Sequence, residues 1–184
     1  PGVTDTPPGR DFTEYLIAVE REFSQGMRDH IRGMGIKAPV ACSQASYGGA
    51  GGLLREARLD WVDMHNYWQH PWFPNRPWDM NDYRIGNTAM VREKGLGTLH
   101  MLTMYRAADR PFTVSEYNHP APNEYTAEEI PMIFAFAAWQ DWDGIFPFAY
   151  GGAKADEGKI GNFFDLANHP SRMAFMPAAA VMFL

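Results

Sequence analysis

Two short stretches of the chain hold side chains that can move protons or attack carbon. The first is Asp63-x-His65-x-Tyr67, followed by Trp68. The second is Glu116 with Tyr117, Asn118 and His119 behind it, in the run PFTVSEYNHP from Pro111 to Pro120. A carboxylate serves as nucleophile or general base when its neighbours favour the charged form and hold its rotamer, and a phenol or imidazole beside it does both. Taken alone, Glu116 is as readily a solvated acid at a loop edge. His65 and Tyr67, taken singly, are more readily core residues with satisfied hydrogen bonds. Asp63 upsets that bland reading, because an unpaired buried carboxylate is costly; it must orient His65 or pair with an arginine. The aromatic run NYWQHPWFPNRPW, Asn66 to Trp78, includes Trp68 and Trp72 and mixes rings with Asn, Gln and His. It suits either a lid over apolar core or a platform for sugar rings, whose C–H faces stack while their hydroxyls need hydrogen-bond partners.

Backbone elements must carry these residues to one place. From Asp11 the residues Phe12, Leu16, Val19, Phe23, Met27, Ile31 and Met34 recur at steps of three and four, which predicts an amphipathic helix opened by an Asp11/Glu14 capping box and stopped by Gly33 and Gly35. Lys37 to Ser46 reads as a buried strand leading into the glycine-rich loop Gly48 to Gly52 and a short helix over Leu53 to Arg58. Leu59 to Trp68 reads as a second strand whose alternation puts Trp61, Asp63, His65 and Tyr67 on one face and Val62 and Met64 on the other. Helical pieces at Thr88–Glu93 and Leu99–Tyr105 flank a break at Gly95 and Gly97. The third strand is PFTVSE, Pro111 to Glu116. A helix over Thr126 to Trp142 follows, with a Thr126/Glu129 capping box, and it tolerates Pro131 only if its first turn is irregular or starts later. Gly144 to Gly152 is the fourth strand, and Ser171 to Leu184 the last helix.

Helices alternating with strands predict a parallel α/β protein, in which the loops beyond the strand C-termini carry the active site. Strand two ends at Asp63, His65, Tyr67 and Trp68, strand three at Glu116, and strand four at Phe148 and Tyr150. Two architectures fit. An open doubly wound sheet would be marked by a phosphate-binding loop after the first strand, but SYGGAGG, Ser46 to Gly52, lacks the G-x-G-x-x-G spacing. A closed barrel needs eight strands and about 250 residues, so four strands would be its second half. The expectation is one partial domain, residues 1–184: half of a TIM barrel.

Composition narrows the classes. With 184 residues, 46% hydrophobic and 14% aromatic, the chain has apolar material for one packed domain and too few residues for two comfortable ones. A net charge of −6 and no run of Lys or Arg speak against nucleic acid as a partner. One cysteine, Cys42, and scattered histidines speak against an internal disulfide and a structural zinc site. No apolar run approaches the roughly 18 to 20 residues that span a bilayer, which speaks against a membrane partner. The chain opens on Pro1, and its last apolar pattern stops at Leu184 without a polar cap, which is expected of a segment of a longer protein.

Asp63-x-His65-x-Tyr67, the strand-terminal Glu116 of TVSEYNHP, the helix FAFAAWQDWDG and the aromatic fourth strand together resemble the C-terminal half of clan A glycoside hydrolases, near family 5. The resemblance implies strands 5 to 8 of a (β/α)8 barrel that cleaves glycosidic bonds with retention. Glu116 would be the nucleophile at the end of strand 7, with His65 and Tyr67 after strand 6 positioning it. Trp68, Trp72, Asn118, His119, Phe148 and Tyr150 would contact the carbohydrate. The family usually has Trp at the end of strand 8, where this chain offers Phe148 and Tyr150. Retention needs a second carboxyl about 5 to 5.5 Å from the nucleophile. The family's is the Glu of an Asn-Glu pair ending strand 4, upstream of residue 1; Asn123-Glu124 follows no strand and is not that pair. The chemistry needs no metal or cofactor, because carboxyl groups do all of it. The resemblance also favours an exported protein. A half-barrel would expose strand edges that pair with the missing half or with a second copy. The alternatives are a carbohydrate-binding barrel without catalysis and an open-sheet enzyme using Asp63 and His65 for proton transfer.

Overall fold

Three of the four expected strands form: β1 (Val62–Tyr67), β2 (Phe112–Asn118) and β3 (Gly144–Pro147). In the computed structural model, which describes residues 6–45, 49–95, 97–151 and 158–184, they make a small open parallel sheet in the order β1, β2, β3, flanked by helices. The protein is therefore of the α/β class. Sequential strands lie side by side, as crossover connections in a parallel sheet allow. The chain divides into two units, residues 1–64 with 104–113 and residues 65–103 with 114–184; β1 and β2 each begin in the first and continue into the second. Among the described residues no helix is long and apolar enough to cross a membrane.

In the first unit, α1 (Pro7–Gly33) runs for 27 residues. Its cap is Thr6, whose Oγ1 accepts the Gly9 N–H at 3.2 Å, with Pro7 and Pro8 in the first turn where no N–H is needed. Asp11 and Glu14 therefore lie inside the helix and are not a capping box. Its buried face also differs from the expected one. Phe12, Leu16, Val19, Phe23 and Met27 are exposed, while Ile17 and Ser24 turn inward. The cause is the contact with α2 (Ala50–Glu56): Ile17 packs so closely on Gly51 that a Cβ there would stand 2.4 Å from Ile17 Cδ1 and push that side chain aside. Arg28 Nη1, donating to the Arg58 carbonyl at 2.8 Å, and Arg32 Nη2, 2.5 Å from Asp60 Oδ2, hold the same face.

Residues 37–45 of that unit form no strand. Their N–H groups go elsewhere: Val40 donates to Asp60 Oδ2 at 2.7 Å, Cys42 to Glu56 Oε2 at 3.0 Å and Ala45 to the Asp63 carbonyl at 3.0 Å. With Pro39 lacking an N–H, carboxylates replace the ladder that apolar composition suggested. Ser46 and Gly48 of the predicted strand and glycine loop, and Gly152 at the predicted end of the fourth strand, lie outside the described residues.

The second unit holds α4 (Glu129–Trp139), preceded by a 3-10 turn at Thr126–Glu128, and α5 (Pro170–Phe183), which packs on it through Phe134 and Phe183, ring centroids 5.8 Å apart. The irregular first turn that Pro131 requires is present, since Pro131 falls in the first α-turn of a helix that begins at Glu129. The capping box is absent: Thr126 Oγ1 meets Ser171 Oγ at 3.4 Å, and Glu129 turns inward to other partners. α3 (Thr98–Met104) contributes Leu99 and Leu102 to a core with Val114, Tyr117, Ile130 and Ile133, all essentially inaccessible. Each such aliphatic side chain contributes roughly 1.5–3 kcal/mol by leaving water.

Candidate active site

The candidate site lies within the second unit, where the C-terminal part of β1 runs beside that of β2. Two-residue periodicity sends His65 and Tyr67 to the same side of β1. In β2 the alternation of burial breaks at Ser115 and Glu116, which are both half-exposed between buried Val114 and buried Tyr117. Across this step the Tyr67 hydroxyl donates to Glu116 Oε2 at 2.5 Å. His65 Nδ1 stands 3.5 Å from the same oxygen, and His65 Nε2 pairs with Ser115 Oγ at 2.8 Å. Burial first, and the Glu116 carboxylate second, push the Tyr67 phenol above its ordinary value, so it remains a donor. Glu116 keeps 32% of its side chain exposed, and its Oε1 takes no hydrogen bond from the described residues. One oxygen is thus held by a phenol and approached by an imidazole, and the other is open to a ligand. That arrangement can attack an electrophilic carbon or take a proton.

Rings surround the group. Tyr67 meets His70 edge-on at 5.0 Å, Phe164 at 5.0 Å and Phe148 at 6.3 Å. Phe148 follows β3 and donates its N–H to the Tyr117 carbonyl at 2.8 Å, which brings the third strand to the site. Trp68 is half-buried, its indole N–H donating to the Thr88 carbonyl at 2.9 Å. Trp72 is 64% exposed and paired with Arg84 through two 2.8 Å backbone bonds, and Tyr150 is 70% exposed; neither is among the described rings that touch Tyr67. Asp63 accepts from Thr113 Oγ1 at 2.5 Å, an interaction within the first unit.

Asn118 and His119, expected to touch substrate, do not line a cleft: both are fully buried. Asn118 Nδ2 donates to the Phe148 carbonyl and, at 3.2 Å, to that of Phe164, while its Oδ1 accepts from Arg172 Nη2 at 2.9 Å. The His119 N–H donates to Glu129 Oε2 at 3.1 Å, and its Nε2 pairs with the Tyr117 hydroxyl at 3.0 Å. The Asn118 side chain and the His119 main chain both serve Arg172. This buried guanidinium of α5 donates to the carbonyls of His119 and, at 2.8 Å, Asp165, and its Nε stands 2.7 Å from Glu129 Oε2, an ion-pair contact poorly aligned for a hydrogen bond. Burial pushes Glu129 up to about 7 against the pull of Arg172. Burial and then Arg172 hold His119 down at about 3.

Phe163 and Phe164 join the site without having been expected there, and Trp78, the end of the expected aromatic run, joins it through His70. GNFFDL, around the first two, follows a stretch without periodicity and carries no strand or helix signal. Trp78 has φ 62°, unusual for a large side chain, and packs on His70 and Phe73 at 5.8 and 5.2 Å. No family model, curated protein or solved structure matches the chain.

Proposed function

We propose that this chain carries the nucleophile side of a retaining glycoside hydrolase, with β1, β2 and β3 in the places of strands 6, 7 and 8 of a (β/α)8 barrel and residues 37–45 where strand 5 would run. The single observation behind the reading is the 2.5 Å bond from the Tyr67 hydroxyl to Glu116 Oε2, with the second carboxylate oxygen left open. In the first step Glu116 attacks the anomeric carbon and the bond to the leaving oxygen breaks as an acid protonates that oxygen. Water then cleaves the glycosyl ester with a second inversion, so that configuration is retained. The acid/base carboxyl belongs, by the resemblance, to a strand upstream of residue 1. Tyr67 and His65 act through Glu116 as positioning residues. Phe148 supplies an apolar face for the sugar, with buried Phe164 packed behind Tyr67, and Trp68, Trp72 and Tyr150 are further candidate contacts.

The test uses the protein that carries this chain. A panel of 2-deoxy-2-fluoro glycosyl fluorides should form a stable ester, and peptide mapping by mass spectrometry should find it on Glu116. An ester on another carboxylate, or turnover undiminished in Glu116→Gln, removes the reading. Carbohydrate binding without any ester, equal in wild type and Glu116→Gln, would identify a binding protein instead.

A further inference from the structure

Still within the second unit, a second cavity of about 750 Å³ lies at the loop that follows β2. Tyr83, Phe163, Asn162, Glu124, Thr126 and His169 line it, and among the described residues no Lys or Arg does. Its size lies within the range of ligand pockets. The polar groups divide into those already used and those left over. Asn123 is spent: its Nδ2 donates to Gln69 Oε1 at 3.0 Å, and its Oδ1 accepts the Tyr125 N–H at 2.7 Å. Asn162 Oδ1 accepts the Phe164 N–H at 2.7 Å, which leaves its NH2 group over. His169 Nδ1 pairs with Ser171 Oγ at 3.0 Å, and burial followed by the nearby Arg172 keeps the ring at about 4, neutral at pH 7 with Nε2 left over. The Glu124 carboxylate has no protein partner among the described residues, while its N–H is held by Asn87 Oδ1 at 2.9 Å. Tyr83 supplies an apolar face, backed edge to face by buried Phe163 with centroids 5.3 Å apart.

An anionic ligand would meet the Glu124 charge with no cation among the described residues of the wall to offset it. Hydroxyl groups on an apolar ring match the leftover acceptor, donor and aromatic faces. The cavity also connects to the candidate site through side chains. Phe163 stacks edge-on against Phe164 at 4.5 Å, and Phe164 packs on Tyr67 at 5.0 Å. A smaller cavity of about 330 Å³, walled by Trp78, Phe148, Phe163 and Phe164, shares Asn162 and Phe163 with the larger one. Packed rings thus connect the one that holds Glu116 to Tyr83.

We infer that the larger cavity is a remote subsite for an uncharged sugar unit of a glycan chain that extends to Glu116, so that the substrate class is a neutral oligo- or polysaccharide and not a uronate, sulfated or phosphorylated one. The inference rests on the proposed role of Glu116 for the direction of the chain, and on the cavity itself for binding.

The experiment is calorimetry on the Glu116→Gln form of the protein carrying this chain, with β-1,4-linked gluco-, manno- and xylohexaose, their disaccharides, and a galacturonate hexamer. One neutral hexaose should bind and the galacturonate should not. Tyr83→Ala and, separately, Glu124→Ala should each weaken that hexaose about tenfold, about 1.4 kcal/mol, and leave the disaccharide unchanged. Glu124 is exposed, so its replacement decides the matter even if Tyr83→Ala does not fold. Binding of the galacturonate, binding of no neutral hexaose, or hexaose affinity indifferent to Glu124→Ala overturns the subsite. The two readings fail separately. An ester on Glu116 with affinity indifferent to Glu124 keeps the nucleophile and removes the subsite; hydrolysis surviving Glu116→Gln, with hexaose affinity still lost in Glu124→Ala, does the reverse.

Discussion

Glu116 and Glu129 are two carboxylates of the same unit put to opposite uses. Glu116 is half-exposed, is bonded through one oxygen to Tyr67, and offers the other outward. Glu129 is fully enclosed, with Arg172 Nε and the His119 N–H both on its Oε2, and burial holds it up at about 7. The first spends little on desolvation and so remains available to a ligand. The second lies where desolvation dominates, and its partners fix the end of β2 against α4 and α5. Polar residues close together in sequence thus separate into chemistry and architecture by burial, because a carboxylate whose every neighbour is protein cannot also serve a substrate.

The largest effect that could break this division is on turnover. Glu116→Gln should lower kcat by at least ~10⁴-fold, the scale of losing a nucleophile, while its stability to urea moves by no more than about 0.5 kcal/mol, as for a surface change. A variant that loses both activity and stability would make Glu116 a structural acid like Glu129. Arg172→Met is the converse: it strands Glu129, Asn118 Oδ1 and the carbonyls of His119 and Asp165, and should cost about 3–5 kcal/mol in chemical denaturation. A cost below about 1 kcal/mol would show that the cluster holds nothing together. Tyr67→Phe comes next. Losing one hydrogen bond to a charged group, about 1.5–3 kcal/mol, should lower kcat roughly 10- to 150-fold with KM little changed, measured against Glu116→Gln as the floor. Unchanged kcat would leave the 2.5 Å bond without a role in catalysis.

The same division explains which parts of the site are legible in the amino-acid sequence. His65 and Tyr67 can be placed on one face from sequence because alternation along a strand is a local property, and a carboxylate at a strand end is visible as such; that they meet Glu116 is what the resemblance implies, since the neighbour of a strand is not a local property. Asn118 and His119 follow the same strand and look equally suited to a ligand. Their burial depends on Arg172, far along the chain in a helix whose apolar pattern gives no hint of an inward guanidinium. The exposed stripe of α1 misleads for a related reason. Periodicity reports that a helix has an apolar side, but close approach of Gly51 to Ile17 decides which side is covered. Residues 37–45 have the composition of a strand, yet Asp60 and Glu56 take their N–H groups first.

The smallest predicted effect is a slope with pH, and it sharpens the comparison because the enclosed cluster contributes to it with both signs. His119 and His169 are held at about 3 and about 4, below the ordinary 6.5. Their contribution is complete above pH 6.5 and is lost as pH falls toward those values, since the unfolded chain takes up protons first. Glu129, raised from 4.5 to about 7, has the opposite sign: its contribution is complete below pH 4.5 and is lost as pH rises through 7. Between pH 6 and 5 two groups outweigh one, so stability should fall on acidification by about 1.4 kcal/mol per pH unit, the value for one net proton. Glu129→Gln removes the opposing group, and its denaturation midpoint should fall more steeply over that interval than that of the wild type. Parallel curves for Glu129→Gln and wild type would mean that the buried carboxyl does not exchange a proton on folding, and that its partner Arg172 keeps it charged.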